Sequence, residues 1–349
     1  TTLTLASGSL SVSGNIDGLW SVDQTHQIIV GASTLIASGD VTLSDGTANR
    51  KINISVATSG AFNVAGSLVQ RGGAEVTFVG GGQLNIGKNY NYVNGTFTPS
   101  LGKVSYVGLS DQLVAGLTYY DLSFGKTGGT ATIGALTTVT NNMKMATGGQ
   151  EDVAATLNVT GNIDIGTSTV LNIPTSNEIN IGGNWLLSGN FVPGSGTVTF
   201  NGTGPQTTNA TSFNHLTVNK SAGTLTILGN IGINGNINVQ SGTVDVSTFN
   251  VTRSVTGGTA SLGANATARF GGAGFQLTNF GALIADPSST VEFYGGSSRP
   301  IPPVTYGNLL ISGGGIKSMV APTAVQGNLT VSVGATLQLP TSTLTLNGN

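Results

Sequence analysis

The stretch GSGTVTFNGTGPQTT, residues 194–208, decides the fold of this 349-residue chain. It contains no charged residue, and its only aromatic residue is Phe200. Related stretches lie on both sides of it, LGKVSYVGLSDQLV at residues 101–114 and SSTVEFYGGSSRPI at residues 288–301. A chemically plain segment that recurs in this way indicates internal repetition.

The repetition extends well beyond these stretches. Phe97 and Phe191 are 94 residues apart, and Val198 and Val291, which mark a third copy, are 93 residues apart. Separations that drift by a residue are typical of repeats joined by tolerant loops. We interpret the chain as a divergent N-terminal segment followed by three super-repeats of about 94 residues, with bounds near 1–83, 84–178, 179–267 and 268–349.

Within each super-repeat, short alternating strands recur about every 20 residues, a period typical of solenoid repeats. LNV at 157–159, INI at 179–181 and LTV at 216–218 each carry two apolar residues that flank a polar one. Gly, Asn and Ser, which tolerate the backbone angles of turns, bound these strands. No stretch sustains the i, i+3, i+4, i+7 pattern of an amphipathic helix. The sequence therefore predicts an all-β chain.

Two all-β architectures fit a unit of this size. Tandem immunoglobulin-like β-sandwiches have about 100 residues per domain, but their strands are longer and their cores contain more bulky aromatic residues. A spacing of about 20 residues instead suits one coil of a parallel β-solenoid, in which Val, Ile, Leu and Thr stack inside. We predict a parallel β-helix that forms one continuous rod, with tandem sandwiches as the alternative.

The composition argues against several classes of partner. Only 7% of residues are charged and the net charge is −2, which gives no electrostatic basis for binding nucleic acid. No apolar run approaches the length of a membrane span, roughly 18 residues, so we expect none. The chain has no cysteine, which excludes a disulfide framework and is compatible with secretion.

GTVTFNG at 196–202 followed by HLTVNK at 215–220 resembles the repeat regions of large secreted bacterial surface proteins. These are haemagglutinin- and adhesin-like stalks that form right-handed parallel β-helices. The resemblance covers residues 84–349 well and residues 1–83 loosely. It implies an extracellular or cell-surface structural protein, a rod-like stalk or filament subunit in surface adhesion or fibre formation. It implies no catalytic signature.

The N-terminal segment contains the densest group of charged side chains. A β-helix enzyme that cleaves polysaccharides would need acids and bases from adjacent coils to converge on one face. The spacings from Asp17 to Asp40 and from Asp23 to Asp45 are close to one coil, which predicts that each pair of carboxylates stacks on neighbouring coils and would bind Ca²⁺ or share a proton. We interpret the group as solvated loop charges and keep the enzyme, with Asp23 and Asp45 as its site, as an alternative. The group comprises Asp17, Asp23, His26, Asp40, Asp45, Arg50 and Lys51.

Other polar residues occur singly. Glu151 and Asp152 follow a turn-like stretch, and Lys126 and Lys220 share one repeat position without a clear lysine in the third copy. We predict that all four are solvated. His215 occupies a position that holds Asp121 in the first copy and Asn308 in the third, which indicates a polar turn residue rather than a catalytic one.

Aromatic residues raise the question of sugar binding. Tyr90, Trp185 and Phe275 fall at similar places in the three copies, several coils apart, so they cannot form one continuous strip. We predict that they fill the core or cover a corner of the coil. Trp20 and the pair Tyr119–Tyr120 are weaker candidates. A glycan-binding module using exposed Asn, Thr and aromatic side chains remains the second functional hypothesis.

The sequence contains no metal, cofactor or catalytic motif. There is no HExxH, no Asp-rich calcium loop, and no Lys-Ser/Thr after the Gly runs at 80–82 and 313–315. We therefore predict that the protein is not an enzyme and has no catalytic, cofactor-binding or metal-ligating residue. Residues 1–15 and 339–349 both begin or stop in the middle of the repeat pattern. We therefore expect strand-edge contacts there. The contacts would be made either within a longer chain or with further copies of this chain, end to end or side by side.

Overall fold

The computed structural model describes residues 1–210, 212–254, 256–272, 279–339 and 343–348. Phe275 lies outside these residues, and so do 340–342 and 349 of the C-terminal stretch. No described residue belongs to an α-helix. The chain divides into two compact units, Thr1–Asn177 with Ser188–Asn190, and Glu178–Leu187 with Phe191–Asn349.

The first unit consists of short strands separated by turns. Its strands are β1 (Thr2–Val12), β2 (Ile16–Asp17), β3 (Gln24–Ala37), β4 (Val41–Thr42), β5 (Arg50–Ala57), β6 (Ala61–Val64), β7 (Leu68–Gln70), β8 (Glu75–Val79), β9 (Gln83–Ile86), β10 (Tyr90–Tyr92), β11 (Thr96–Thr98), β12 (Lys103–Tyr106), β13 (Gln112–Val114), β14 (Thr118–Tyr119), β15 (Asp121–Phe124), β16 (Thr130–Ile133), β17 (Thr137–Val139), β18 (Met143–Met145), β19 (Gly149–Val153), β20 (Leu157–Val159), β21 (Ile163–Ile165) and β22 (Thr169–Asn172).

The strands of this unit pair in parallel with strands one turn away, as in a β-solenoid. Thr2 lies opposite Gln27 in the first turn, and Gln112 lies opposite Ala131 in a later one. The first turn is therefore longer than both the later turn and the predicted coil. This difference in length changes which N-terminal side chains are neighbours.

Alternation along each strand forms the core. In β16 the residues Ala131 and Ile133 are fully buried, while their neighbours Thr130 and Thr132 are half-buried on the outer face. Because side chains alternate across a strand, one inward row per face is enough to fill the interior with stacked apolar residues. The repeated two-residue alternation of the sequence is the cause of this arrangement.

The second unit is built in the same way, and Asn190, the first residue of its strand β25, belongs to the first unit. Its strands are β23 (Glu178–Ile181), β24 (Trp185–Leu187), β25 (Asn190–Val192), β26 (Thr197–Phe200), β27 (Gln206–Thr208), β28 (Ser212–Phe213), β29 (His215–Ile227), β30 (Ile231–Ile233), β31 (Ile237–Asp245), β32 (Val251–Thr252), β33 (Thr259–Leu262), β34 (Thr267–Phe270), β35 (Ala282–Ala285), β36 (Thr290–Phe293), β37 (Arg299–Ile301), β38 (Thr305–Tyr306), β39 (Asn308–Ile311), β40 (Ile316–Met319), β41 (Thr323–Val325), β42 (Leu329–Val331), β43 (Thr336–Gln338) and β44 (Leu344–Leu346).

The coils of the second unit have three faces. The first face stacks β26, the start of β29, the start of β31, β33 and β35. The second face stacks β27, the end of β29, the end of β31, β34, β36, β39 and β42. The third face contains β28, β30 and β32.

Copies of the super-repeat within this unit do not lie directly above one another. The motif TVTF of β26 is on the first face, whereas its counterpart TVEF of β36 is on the second face. Four turns along the first face lead from β26 to β35, and β36 follows on the next face. One super-repeat therefore equals four turns and one additional face.

These observations establish the predicted fold class. The chain is all-β, and its strands stack in parallel with a spacing near 21 residues. The alternative of tandem immunoglobulin-like sandwiches is wrong, because such sandwiches consist of antiparallel sheets. Among the described residues, no helix is long and apolar enough to span a membrane.

Candidate functional site

The N-terminal charged group contains an ion-paired arginine. Nε of Arg50 lies 3.1 Å from Oδ1 of Asp23, and Nη1 of Arg50 lies 3.6 Å from Oδ2 of Asp45. The backbone N–H of Thr47 also donates to Asp45 at 2.7 Å and is the main cause that lowers the pKa of this carboxyl. Asp23 and Asp45 are thus both bound by one guanidinium.

The predicted stacking of Asp17 on Asp40 is wrong. Asp17 lies opposite Thr42 rather than Asp40, because the turn here is longer than the predicted coil. Asp40 accepts a hydrogen bond from the backbone N–H of Ser67 at 2.7 Å. Lys51 donates to the carbonyl of Gly73 at 2.9 Å. Most of these polar groups therefore connect one coil to the next.

His26 and Trp20 lie beside this group. The ring of Trp20 meets the ring of His26 edge to face, with centroids 4.5 Å apart. His26 Nε2 is 3.2 Å from the side-chain oxygen of Gln24, and Trp20 donates its indole N–H to the carbonyl of Gln24. These contacts all join residues close together in the sequence, at the surface of the first turns.

The largest departure from the sequence predictions is a set of buried lysines. Lys126 is fully buried, and its Nζ donates to the carbonyls of Gly108 (3.0 Å) and Ser110 (2.8 Å) and to Oε1 of Gln112 (3.0 Å). Burial lowers the pKa of Lys126, while the nearby carboxyls of Glu151 and Asp111 raise it. Three acceptors for three N–H groups fully satisfy an ammonium.

The second copy repeats this arrangement. Lys220 is 1% exposed, and its Nζ donates to the carbonyls of Gly202 (2.6 Å) and Gly204 (2.8 Å) and to Oε1 of Gln206 (2.6 Å). In both copies the glutamine side-chain N–H₂ donates to two carbonyls of the coil before. Lysine and glutamine together close the turn.

In the third copy a lysine from another position of the repeat binds the corresponding turn. The carbonyls of Gly295 and Ser297 are the counterparts of those in the first two copies, and they accept hydrogen bonds from Lys317 at 2.9 and 3.3 Å. Lys317 is fully buried and also donates to the carbonyl of Gly314. Burial, followed by the charge of Arg299, lowers its pKa.

The prediction that Lys126 and Lys220 are solvated is therefore wrong. The turns at residues 107–111, 201–205 and 294–298 direct carbonyl oxygens inward, and a buried carbonyl without a donor is costly. We call these three segments the cation turns. Two arginines act in a related way, since Arg253 donates to the carbonyls of Ile233 and Gly235 and Arg299 to that of Gly272.

Glu151 is also buried, contrary to the prediction. It points inward from β19 and neither carboxyl oxygen has a hydrogen-bond partner. Burial raises its pKa to about 8, with Lys126 opposing this and Asp152 adding to it. Ala131 lies opposite Glu151 on the strand below and leaves space for the carboxyl. Asp152 points outward and accepts from Gln150 and Asn172.

The position shared by Asp121, His215 and Asn308 has one structural role. In each copy a side-chain atom accepts the backbone N–H of a residue one turn ahead, from Asn142 to Asp121 Oδ1, from Asn236 to His215 Nδ1, and from Asn328 to Asn308 Oδ1. The distances are 3.0, 3.0 and 2.8 Å. This contact explains why three different acceptors are tolerated.

The aromatic residues pack inside the coils. Tyr90 and Trp185 are 2% and 0% exposed, which confirms the predicted core role for these two. Trp185 packs against Phe191 and Phe213 in the second unit, with ring centroids 4.7 and 5.9 Å apart. Tyr119 is buried as well and its hydroxyl donates to the carbonyl of Ala115. These rings are not available for stacking on a sugar.

Nothing in the described part of the chain is arranged as a metal centre, since no group of three or more His, Asp or Glu side chains converges there. The clustered cations and carboxylates instead bind backbone groups or each other. These hydrogen bonds join one coil to the next. No protein-family model, curated protein or solved structure matches this chain.

Proposed function

We propose that this chain is an extracellular structural protein, a rod-like stalk or filament subunit that acts in surface adhesion or fibre formation. The observation that supports it most directly is the use of its few charged side chains. Lys126, Lys220 and Lys317 are buried on backbone carbonyls, where no substrate can reach them.

The side chains between coils support the same proposal. Asn and Asp side chains repeatedly accept the backbone N–H of a residue about one turn ahead, as Asn89 does for Leu113 and Asn184 for Thr207. Each coil is thus held to its neighbour by side-chain as well as backbone hydrogen bonds. Such contacts favour a stiff scaffold over a mobile catalytic cleft.

The resemblance to haemagglutinin- and adhesin-like stalks belongs to this proposal, and so does the extracellular location. A polysaccharide-cleaving enzyme is less favoured because Arg50 binds both carboxylates of its candidate site. A glycan-binding module is less favoured because Tyr90 and Trp185 are buried.

The test combines particle shape with association. We expect electron micrographs of the purified chain to show rods, and sedimentation velocity to show reversible association that increases with protein concentration. A compact monomer at all concentrations would contradict the proposal. Binding to a glycan array by a monomeric chain would favour the glycan-binding module instead.

A further inference from the structure

Each cation turn presents oxygen atoms to a buried lysine ammonium, and in the third copy the buried Arg299 lies opposite that lysine. In the second copy three oxygens surround Nζ of Lys220 at 2.6 to 2.8 Å. In the first copy the corresponding distances to Nζ of Lys126 are 2.8 to 3.0 Å. Most of these oxygens are backbone carbonyls, which are neutral dipoles, and none of the three oxygens that bind either ammonium is a carboxylate.

In the third copy a buried lysine binds the turn carbonyls, but it comes from a different position in the repeat. The position of Lys220 is taken by Gly313 in that copy, while Lys317 takes the position of Leu225. The registers support this equivalence, because Leu225 lies opposite Gln206 and Lys317 lies opposite Arg299. An ammonium thus reaches the two corresponding carbonyls, Gly295 and Ser297, from a position five residues further along the chain than that of Lys220.

We propose that the cation turns are binding sites for a monovalent cation of the ammonium or potassium class, which the native chain fills with its own lysine. Neutral oxygens suit a singly charged ion. Ca²⁺ and Mg²⁺ both favour carboxylate ligands, and Mg²⁺ also requires oxygens at about 2.0–2.1 Å, shorter than any distance in these turns. Rings of backbone carbonyls are the established means of replacing the hydration shell of K⁺.

The first experiment relocates the charge within the second copy. Lys220→Gly removes the ammonium, and adding Leu225→Lys restores it from the position that Lys317 uses. We expect Lys220→Gly to lower the thermal midpoint and the double variant to recover more than half of that loss. The matched control, Lys220→Gly with Leu225→Met, has a chain of similar length without charge and should recover little. Equal recovery by Met and Lys would overturn the proposal.

The second experiment supplies the cation from solution. Lys220→Ala is refolded in KCl, NH₄Cl or LiCl at equal ionic strength, so that an ion can enter before the turn closes. We expect K⁺ and NH₄⁺, but not Li⁺, to raise the midpoint of the variant with increasing concentration, as mass action requires for a ligand of the folded state. Wild type should respond equally to the three salts.

Identical salt responses of wild type and Lys220→Ala would also overturn the proposal. If Lys220→Ala does not fold in LiCl, the fraction folded by circular dichroism during a KCl titration replaces the midpoint. Failure of K⁺, NH₄⁺ and the relocated lysine alike to restore folding counts against a cation site, and shows that Lys220 acts through packing.

Discussion

Nδ1 of His215 accepts the backbone N–H of Asn236 at 3.0 Å, one turn further along the coil. The imidazole therefore has its proton on Nε2 when this bond is formed. Asp121 and Asn308 provide an oxygen for the same purpose in the other copies. One acceptor atom at this position, rather than one residue type, is what the fold requires.

We expect His215→Asn to leave the free energy of unfolding nearly unchanged, because asparagine serves at this position in the third copy. His215→Ala should lower it by about 1–2 kcal/mol, since the N–H of Asn236 loses its partner. Urea titration monitored by circular dichroism measures both changes. Equal effects of the two substitutions would contradict this role.

Glu151 should make stability depend on pH. Its folded pKa of about 8 lies above the ordinary value of 4.5, so the folded protein holds a proton that the unfolded chain releases. The associated stability is present below pH 4.5 and is lost as pH rises to about 8, with a slope that approaches about 1.4 kcal/mol per pH unit. Glu151→Gln should therefore stabilise the protein increasingly as pH rises across this range.

The control for this experiment is Asp152→Asn, which removes a carboxylate from the adjacent outward position. Glu151→Val provides a second check, because Val244 is the inward residue at this position in the second copy. Thermal midpoints of all three variants from pH 5 to 9 decide the matter. A pH-independent difference between wild type and Glu151→Gln would refute the assignment.

Gly149 should not tolerate a side chain. Its φ of +145° is unfavourable for other residues, and a Cβ there would lie 2.8 Å from the Cβ of Lys126. We expect Gly149→Ala to reduce the free energy of unfolding by about 1–3 kcal/mol. Gly134→Ala is the matched control, because a Cβ at Gly134 has no neighbour within 4 Å. Chemical denaturation of the two variants should separate them clearly.

The Asp23–Arg50–Asp45 group provides a test of the enzyme alternative. Replacing both aspartates by asparagine should leave the thermal midpoint close to that of wild type, since exposed ion pairs contribute little to stability. We expect neither protein to cleave acidic polysaccharides in a reducing-end assay. Cleavage by wild type that the double variant lacks would instead support the enzyme.

Much of the fold could be predicted because it depends on local patterns. Apolar and polar residues alternate in strands such as LNV at 157–159, and turns rich in Gly and Asn separate these strands. Both patterns recur often enough to indicate an all-β chain and the approximate coil length. The predicted length was wrong for the N-terminal turns, since these include longer strands such as β3 that have no counterpart in the first super-repeat.

The buried charges could not be predicted from residue type, because lysine at a turn is usually solvated. A signal was present nonetheless. Lys126 and Lys220 recur together with Gln112 and Gln206, each pair 94 residues apart, in a chain where charged residues are rare. Lys317 breaks this spacing, and only the strand register shows that it reaches the corresponding carbonyls.

The additional face between the second and third copies has a geometric consequence for recognition. Between the second and third copies the same outer surface turns by one side of a three-sided coil, about a third of a revolution. A flat partner that touches this surface on one copy meets a different sequence on the next. A partner able to wind around the coil would instead encounter the corresponding surfaces of the second and third copies one after the other.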